Sequence, residues 1–228
     1  MLKHVLHPVH PDGRKFILLF AVVTLLLFWV WQPLGWLGVL ATAWCVYFFR
    51  DPPRVTPLRP GLVVSPADGL IVSIALVPPP RELDMGDAPM TRIGIFLNVF
   101  DVHINRVPMA GQVERTHYHK GQFVNASLDK ASDLNERMTI RLKTAVGPDI
   151  AVVQIAGLVA RRIVCQIVAG QPVETGERFG LIRFGSRTDL YLPTDWSIHV
   201  VEGQHVVGAE TVLADSTSTE PARQGAVR

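Results

Sequence analysis

The chain has 228 residues, enough for one well-packed domain and a smaller appended segment. Its formal net charge is only +2, which argues against a nucleic-acid-binding protein that relies on bulk positive charge. Hydrophobic residues make up 48% of the sequence, and the excess is concentrated near the N-terminus. The two cysteines, Cys45 and Cys165, form no CxxC pair, so we expect neither a disulfide framework nor a metal knuckle built on cysteines.

The N-terminal region, residues 1–50, predicts a membrane-associating helical hairpin. The stretch from Phe16 to Phe49 has no formally charged residue, and Gln32-Pro33-Leu34-Gly35 marks a turn near its middle. Basic residues flank the stretch on both sides: Arg14, Lys15, Arg50, Arg54 and Arg59. The positive-inside rule then places both ends at the cytoplasmic face of the cell membrane. A globular helical hairpin is the alternative, whereas a cleaved signal peptide is disfavoured because the apolar region is too long.

The rest of the chain predicts a mainly β protein. Residues 51–60 are too rich in proline for a helix or a central strand and predict an extended linker. Residues 61–214 alternate short β-branched runs with turn residues, which indicates an antiparallel domain that is sandwich-like or barrel-like. The predicted strands are 62–65, 70–76, 92–99, 111–118, 137–145, 150–156, 161–168, 180–184, 188–192 and 198–201. A short helix is predicted at 128–136, and the polar residues 215–228 predict a disordered tail.

Gly185 and Ser186 lie between two apolar runs, with Arg183 and Arg187 on either side. The plain interpretation of a Gly-Ser pair is a turn between two strands. The alternative is self-cleavage, because glycine permits strained backbone geometry and leaves its carbonyl open to attack by the Ser186 hydroxyl. Elimination and hydrolysis would then leave a new chain that begins with a pyruvoyl group at residue 186.

Polar side chains recur at every second position at Asp101, His103 and Asn105, so they share one face if the segment is extended. On an otherwise apolar strand they are costly unless paired or used, which favours a functional role. Asp68 follows Ser65-Pro66-Ala67 on a turn between two apolar runs. With Ser186 as nucleophile, His103 is the expected base and Asp68 the residue that orients it.

Two other chemistries are open on the sequence. His117 and His119 share a strand face and could bind a metal, but no third ligand lies at a supporting spacing. Two late turns, at 170–173 and 203–206, resemble those of lipoyl and biotin carriers, in which Lys130 would hold the cofactor. Lys130 precedes both half-repeats, however, whereas a carrier lysine lies between them.

Four motifs occur in the order expected of phosphatidylserine decarboxylase proenzymes, and the chain most resembles the short prokaryotic branch of that family. The motifs are Ser65-Pro66-Ala67-Asp68-Gly69, Asp101-Val102-His103-Ile104-Asn105-Arg106, Asn135-Glu136-Arg137 and Phe184-Gly185-Ser186-Arg187. The resemblance spans most of residues 50–214. It implies cleavage between Gly185 and Ser186 into a β chain, residues 1–185, and a pyruvoyl-capped α chain, residues 186–228.

The resemblance also implies conversion of phosphatidylserine to phosphatidylethanolamine and CO2. The pyruvoyl group derived from Ser186 would form a Schiff base with the headgroup amine and accept the electrons that CO2 leaves behind. His103 is the expected proton donor to the α-carbon, and no metal is required. Better-known members carry a second histidine for self-cleavage where this chain has Arg106. His103 is therefore the first candidate for the base of self-cleavage, and His117 and His119 are the alternative candidates.

The expected binding partner is phosphatidylserine in the membrane. The β chain, residues 1–185, and the α chain, residues 186–228, are expected to stay associated, and homo-oligomerisation is left open. A pyruvoyl decarboxylase of a soluble amino acid would run the same chemistry, but residues 16–49 would then have no use. A membrane-tethered carrier module is the non-enzymatic alternative.

Overall fold

The computed structural model describes residues 7–121, 135–157, 162–183 and 185–226, which form two compact units. The helical unit contains the described residues up to Pro53 together with Phe100–Val102. The β unit contains Arg54–Val99 and the described residues from His103 onward. The predicted fold, a mainly antiparallel β domain preceded by a hydrophobic helical hairpin, is confirmed.

The helical unit is a hairpin of α1 (Pro11–Val30) and α2 (Gln32–Phe48), with the extended residue Trp31 between them. Thr24 and Thr42 join the helices by a hydrogen bond of 3.0 Å between their hydroxyl oxygens. Gly38 allows the close approach, because a Cβ there would lie 2.7 Å from the Thr24 hydroxyl. Small and hydroxyl-bearing residues inside, with apolar side chains outside, are typical of helix pairs in lipid.

The outward surface of the hairpin is apolar, with Leu25 69% and Trp29 90% exposed. Among the described residues, α1 is the helix long and apolar enough to cross a membrane. Its 20 residues measure about 30 Å, the thickness of a bilayer hydrocarbon core. The hairpin therefore suits membrane association.

The described residues of the β unit form fourteen short strands. They are β1 (Leu62–Val64), β2 (Gly69–Val77), β3 (Met90–Leu97), β4 (Ile104–Arg106), β5 (Gly111–His119), β6 (Arg137–Thr144), β7 (Ile150–Ala156), β8 (Ile163–Cys165), β9 (Pro172–Val173), β10 (Arg178–Ile182), β11 (Ser186–Leu192), β12 (Ser197–Ile198), β13 (His205–Val206) and β14 (Val212–Asp215). A 3-10 turn lies at Arg81–Leu83.

The described strands form three antiparallel sheets. The large one has the order β13-β2-β3-β11-β7-β6-β5-β9, and the small ones are β4-β10-β8 and β1-β14-β12. Alternate residues of β11 point to opposite faces, so that Leu190 and Leu192 enter the main core whereas Tyr191 packs against Leu83 on the other side. The main core lies on the face of β11 that also carries Ser186.

Four short strands, β4, β9, β13 and β14, lie outside the predicted set. Each has two to four residues, too few to reveal an alternating pattern. The predicted helix at 128–136 falls mostly outside the described residues, and its last two positions, Asn135 and Glu136, are not helical.

The C-terminal residues 216–226 have neither helix nor strand but are tied to the β unit. Ser197 Oγ donates to the Ser218 carbonyl at 2.8 Å, and the Arg223 guanidinium donates to the His199 carbonyl at 2.9 Å. These residues follow Asp215, the last residue of β14, which pairs in register with Leu62 and Ser197.

Asp215 should make stability fall in strong acid. Burial alone would raise the pKa of its carboxyl, but hydrogen bonds from Arg59 and Thr217 lower that pKa to about 2. Since the unfolded value is about 3.9, the carboxylate stabilises the fold above that pH, and this contribution is lost as the pH falls towards 2. Asp215→Asn should therefore narrow the difference between urea midpoints measured at a pH of about 5 and about 2.5. An unchanged difference would contradict the assignment.

Candidate active site

The Gly185–Ser186 bond lies where the chain enters a central strand. Ser186 is the first residue of β11 and is paired with Leu97 of β3 on one side and Ala156 of β7 on the other. Gly185 has a φ of 71°, in the left-handed region that residues with a side chain rarely adopt. A Cβ at Gly185 would meet nothing within 4 Å, so glycine is needed here for its backbone conformation and not for space.

The Ser186 hydroxyl is buried, and none of the described residues forms a hydrogen bond with it. The residue has no exposed surface, and its Oγ has no partner among the residues that the structure describes. Leaving a buried hydroxyl unsatisfied costs about 1–3 kcal/mol. Such groups call for an explanation, and a reactive role is one of the common ones.

His103 is a titratable side chain that contacts this turn. It is 2% exposed, and its Nε2 accepts a hydrogen bond of 3.3 Å from the Gly185 backbone N–H. Its position follows from the pairing of β4 with β10, because the His103 carbonyl also accepts from the Ile182 backbone N–H at 3.3 Å. A nitrogen that accepts a hydrogen bond carries no proton, so Nε2 here has the lone pair that a base needs.

Asp68 lies on the predicted turn, and the turn abuts the strand that follows His103. The Arg106 backbone N–H donates to the Pro66 carbonyl at 2.9 Å. The Asp68 carboxylate accepts from Arg54 at 2.6 Å and from the Gly208 backbone N–H at 2.8 Å. The structure thus brings the Asp68 turn and the His103 segment together. That the carboxylate orients His103 stays a prediction.

The polar face predicted for Asp101, His103 and Asn105 is divided by the fold. Asp101 belongs to the helical unit, and His103 precedes β4, which starts at Ile104. Asn105 is fully buried and donates to the Thr188 hydroxyl at 3.2 Å. It also accepts from the Gln154 amide at 2.8 Å. Asn105 therefore joins β4 to the same strand that begins with Ser186.

Gln154 was missed by the sequence analysis. It pairs in register with Thr188, two positions along β11 from Ser186, and its Oε1 is buried without a partner among the described residues. The available signal was a lone amide in the apolar strand Ile150–Ala156, which is costly unless the amide is used.

His117 and His119 are placed away from the Gly185–Ser186 bond. Both lie on β5, which β6 and β7 separate from β11. Three strand spacings amount to about 14 Å, too far for direct proton transfer. The Arg106 guanidinium, which was weighed against a second histidine in the sequence analysis, donates to the Gly176 carbonyl at 3.1 Å. No cluster of potential metal ligands is found in the described part of the chain.

Behind Ser186, on the opposite face of β11, lies a fully buried ion pair. Arg187 Nε donates to Asp189 Oδ1 at 2.5 Å, and a second guanidinium nitrogen donates to the Ser73 hydroxyl at 3.0 Å. The guanidinium fits because position 94 is glycine, where a Cβ would lie 2.4 Å from Arg187 Nη2. The pair fixes the residue that follows Ser186.

Tyr191 lies on the same face of β11 as Arg187 and Asp189, and its surroundings favour the neutral phenol. Burial raises the pKa of the Tyr191 hydroxyl, and the nearby Asp189 carboxylate raises it further. Pro78–Arg81, Glu82 and Arg137 line a cavity of about 250 Å³ beside it.

The Arg187–Asp189 pair predicts a mutational asymmetry. Arg187→Met removes the cation that pairs with the buried Asp189 carboxylate, and should destabilise the β unit by about 3–5 kcal/mol. The double variant Arg187→Met/Asp189→Leu should recover most of that loss, because apolar residues of similar volume often replace a buried pair at little cost. Urea denaturation of both variants measures the difference. A double variant no more stable than the single one would contradict the expectation.

Comparison with known proteins gives the site its family. Residues 41–214 match the family model described as phosphatidylserine decarboxylase. A phosphatidylserine decarboxylase proenzyme of Cereibacter sphaeroides is 58% identical over 228 residues, covering 100% of this chain and 98% of the relative. Proenzymes of Paramagnetospirillum magneticum (56% identical over 228 residues, 100% and 95% covered) and Ruegeria pomeroyi (57% over 210 residues, 92% and 96%) are similarly close. The chain belongs to the phosphatidylserine decarboxylase family.

Proposed function

We propose that this chain is a proenzyme that cleaves itself between Gly185 and Ser186 and then decarboxylates phosphatidylserine to phosphatidylethanolamine. The observation that carries the proposal is the buried Ser186 hydroxyl, which has no hydrogen-bond partner in the described part of the chain and lies beside a glycine with positive φ. Membership of the family and the proenzyme names of its relatives support the same conclusion.

Self-cleavage needs only groups of this chain and one water. The Ser186 oxygen attacks the Gly185 carbonyl carbon, and the proton of the hydroxyl passes to the released backbone nitrogen, which turns the amide into an ester. Elimination then removes the proton from the serine α-carbon and breaks the bond between the ester oxygen and the serine β-carbon, so that Gly185 ends the β chain as a carboxylate and residue 186 has a double bond between its α- and β-carbons. A proton added to the β-carbon converts this enamine to an imine. Water replaces the nitrogen at residue 186, ammonia leaves, and a pyruvoyl group begins the α chain.

We assign the proton transfers of self-cleavage to His103. Its Nε2 contacts the Gly185 backbone N–H, one residue from the bond that breaks. Arg106 cannot replace the second histidine of better-known members, because a guanidinium keeps its proton in proteins. Asp68, on the turn that abuts β4, is the proposed carboxylate partner of His103, and Arg54 and Gly208 hold that carboxylate in place.

The pyruvoyl carbonyl supplies an electron sink for the electron pair that CO2 leaves behind. The buried setting of Ser186 suits such a group, because it keeps bulk water from the reacting carbon. His103 is the proposed donor of the proton to the α-carbon after decarboxylation. No redox step or metal enters this scheme.

The substrate is a lipid, and the apolar hairpin offers the means to reach it. The exposed surface of α1 and the basic residues at the open end of the hairpin support attachment to the cytoplasmic face of the cell membrane. The carrier alternative gains no support from the family match, and Lys130 lies outside the described residues. A soluble amino acid as substrate would leave the hairpin unexplained.

Ser186→Ala should abolish both cleavage and decarboxylation, because alanine has no oxygen to attack Gly185. Intact mass measurement should give one uncut chain, whereas the unaltered protein should give residues 1–185 and residues 186–228 without a free amine. Ser197→Ala, at another serine of the α chain, is the matched control and should cleave. Release of CO2 from phosphatidylserine by the uncut Ser186→Ala chain would refute the pyruvoyl assignment.

His103→Ala should slow self-cleavage by about 10²–10⁴-fold, the usual contribution of a positioned acid–base group. His119→Ala is the control, since its strand is three strands from β11. The measurement is the time course of chain cleavage on a denaturing gel, with circular dichroism to verify the fold. Normal cleavage by the His103 variant, or loss of cleavage by the His119 variant, would assign the base elsewhere.

A further inference from the structure

We infer that Phe100, three residues before His103, is a second membrane contact that enters the interface of an anionic phospholipid bilayer together with the helical hairpin. This inference rests on the proposed function and adds to it the means by which the site is held at the level of the lipid headgroups. It depends on contacts within the helical unit, of which Phe100 is a part.

The open end of the hairpin has the residues that favour a membrane interface. The start of α1 and the end of α2 meet there, because the His10 backbone N–H donates to the Phe49 carbonyl at 2.9 Å. Arg14 and Lys15 are exposed in the first turn of α1, and Tyr47 is 48% exposed in the last turn of α2. Arginine, lysine and tyrosine are enriched where apolar segments meet headgroups, and basic residues attract anionic lipid.

Arg50 links Phe100 to this layer. Its guanidinium lies over the Tyr47 ring, 3.7 Å from the ring centroid, and donates to the Tyr47 carbonyl at 2.8 Å. Another nitrogen of the same guanidinium donates to the Phe100 carbonyl at 2.7 Å. The backbone of Phe100 is therefore held at the depth of Tyr47 and Arg50.

The Phe100 ring is left on the surface. It is 61% exposed, and the preceding Val99 is 38% exposed. A single exposed apolar side chain needs no explanation by itself. Phe100 differs because its backbone is bonded to the interfacial end of a hairpin whose outward face is also apolar, so that one lipid surface would cover both.

The chain then runs directly to the active site. At most about 11 Å of extended backbone separates Phe100 from His103. A ring anchored in the bilayer interface therefore limits how far His103 lies from the headgroups, where the carboxylate of phosphatidylserine is located. Phe100 acts on the reaction through this placement and is not itself a catalytic residue.

The test compares Phe100→Ser with Leu76→Ser, a matched control at a 67% exposed position on β2. Each full-length variant is assayed on phosphatidylserine in phosphatidylcholine vesicles and on short-chain phosphatidylserine dispersed as monomers. Phe100→Ser should lower kcat/KM on vesicles by about tenfold, the loss expected when one apolar ring leaves a lipid environment. Self-cleavage and the rate on monomers should not change. An equal loss on both substrates, or no loss on vesicles, would overturn the inference.

A second measurement does not require decarboxylation. In a Ser186→Ala chain without its native cysteines (Cys45→Ala, Cys165→Ala), Phe100→Cys is labelled with an environment-sensitive fluorophore, and Leu76→Cys is labelled as the control. Vesicles of phosphatidylcholine and phosphatidylserine should shift the emission of the label at position 100 to the blue and leave the label at position 76 unchanged. No shift at 100, or an equal shift at 76, would overturn the inference. Loss of CO2 release in the unaltered protein, with the shift intact, would count against the proposed function only.

Discussion

The rest of the structure depends on the pairing of β11 between β3 and β7. All seven residues of this strand pair with β3, and six of them pair with β7 as well. A chain that begins at Ser186 therefore starts inside the hydrogen-bonded centre of a sheet. Its first residues cannot leave without breaking ladders on both sides, so the proposed cleavage creates a new terminus without freeing it.

Contacts on both faces of β11 position Ser186. On one face, the Asn105–Thr188 hydrogen bond joins the Ser186 strand to the segment of His103, and the Gln154–Asn105 hydrogen bond joins that segment to the neighbouring β7. On the other face, Arg187 is fixed by its ion pair and fits only against Gly94. Buried polar groups of this kind hold one geometry, because any displacement leaves a donor or a charge unsatisfied. Ser186 is thus restrained from both sides, while its own hydroxyl has no hydrogen bond to hold it among the described residues.

Small and hydroxyl-bearing residues join the two helices of the helical unit. Its helices meet through Thr24, Gly38 and Thr42, and their large apolar side chains face outward. Such a surface is unfavourable in water and suitable in lipid. The short segment Phe100–Val102 belongs to this unit although the chain around it belongs to the β unit. Chain continuity therefore connects lipid attachment to the histidine that contacts the Gly185–Ser186 turn.

Much of this was determined by the sequence alone. The uncharged stretch before Phe49 predicted the hairpin, the β-branched runs predicted the long strands, and four ordered motifs identified the family, because each of these signals is local. The tertiary structure decided what depends on residues far apart in the chain. It brought the His103 ring to the Gly185 backbone, 82 positions away, and placed His117 and His119 three strands from β11. It also paired Asp68 with Arg54 and gave Gln154 a partner in Asn105, since no local pattern encodes which strand lies beside which.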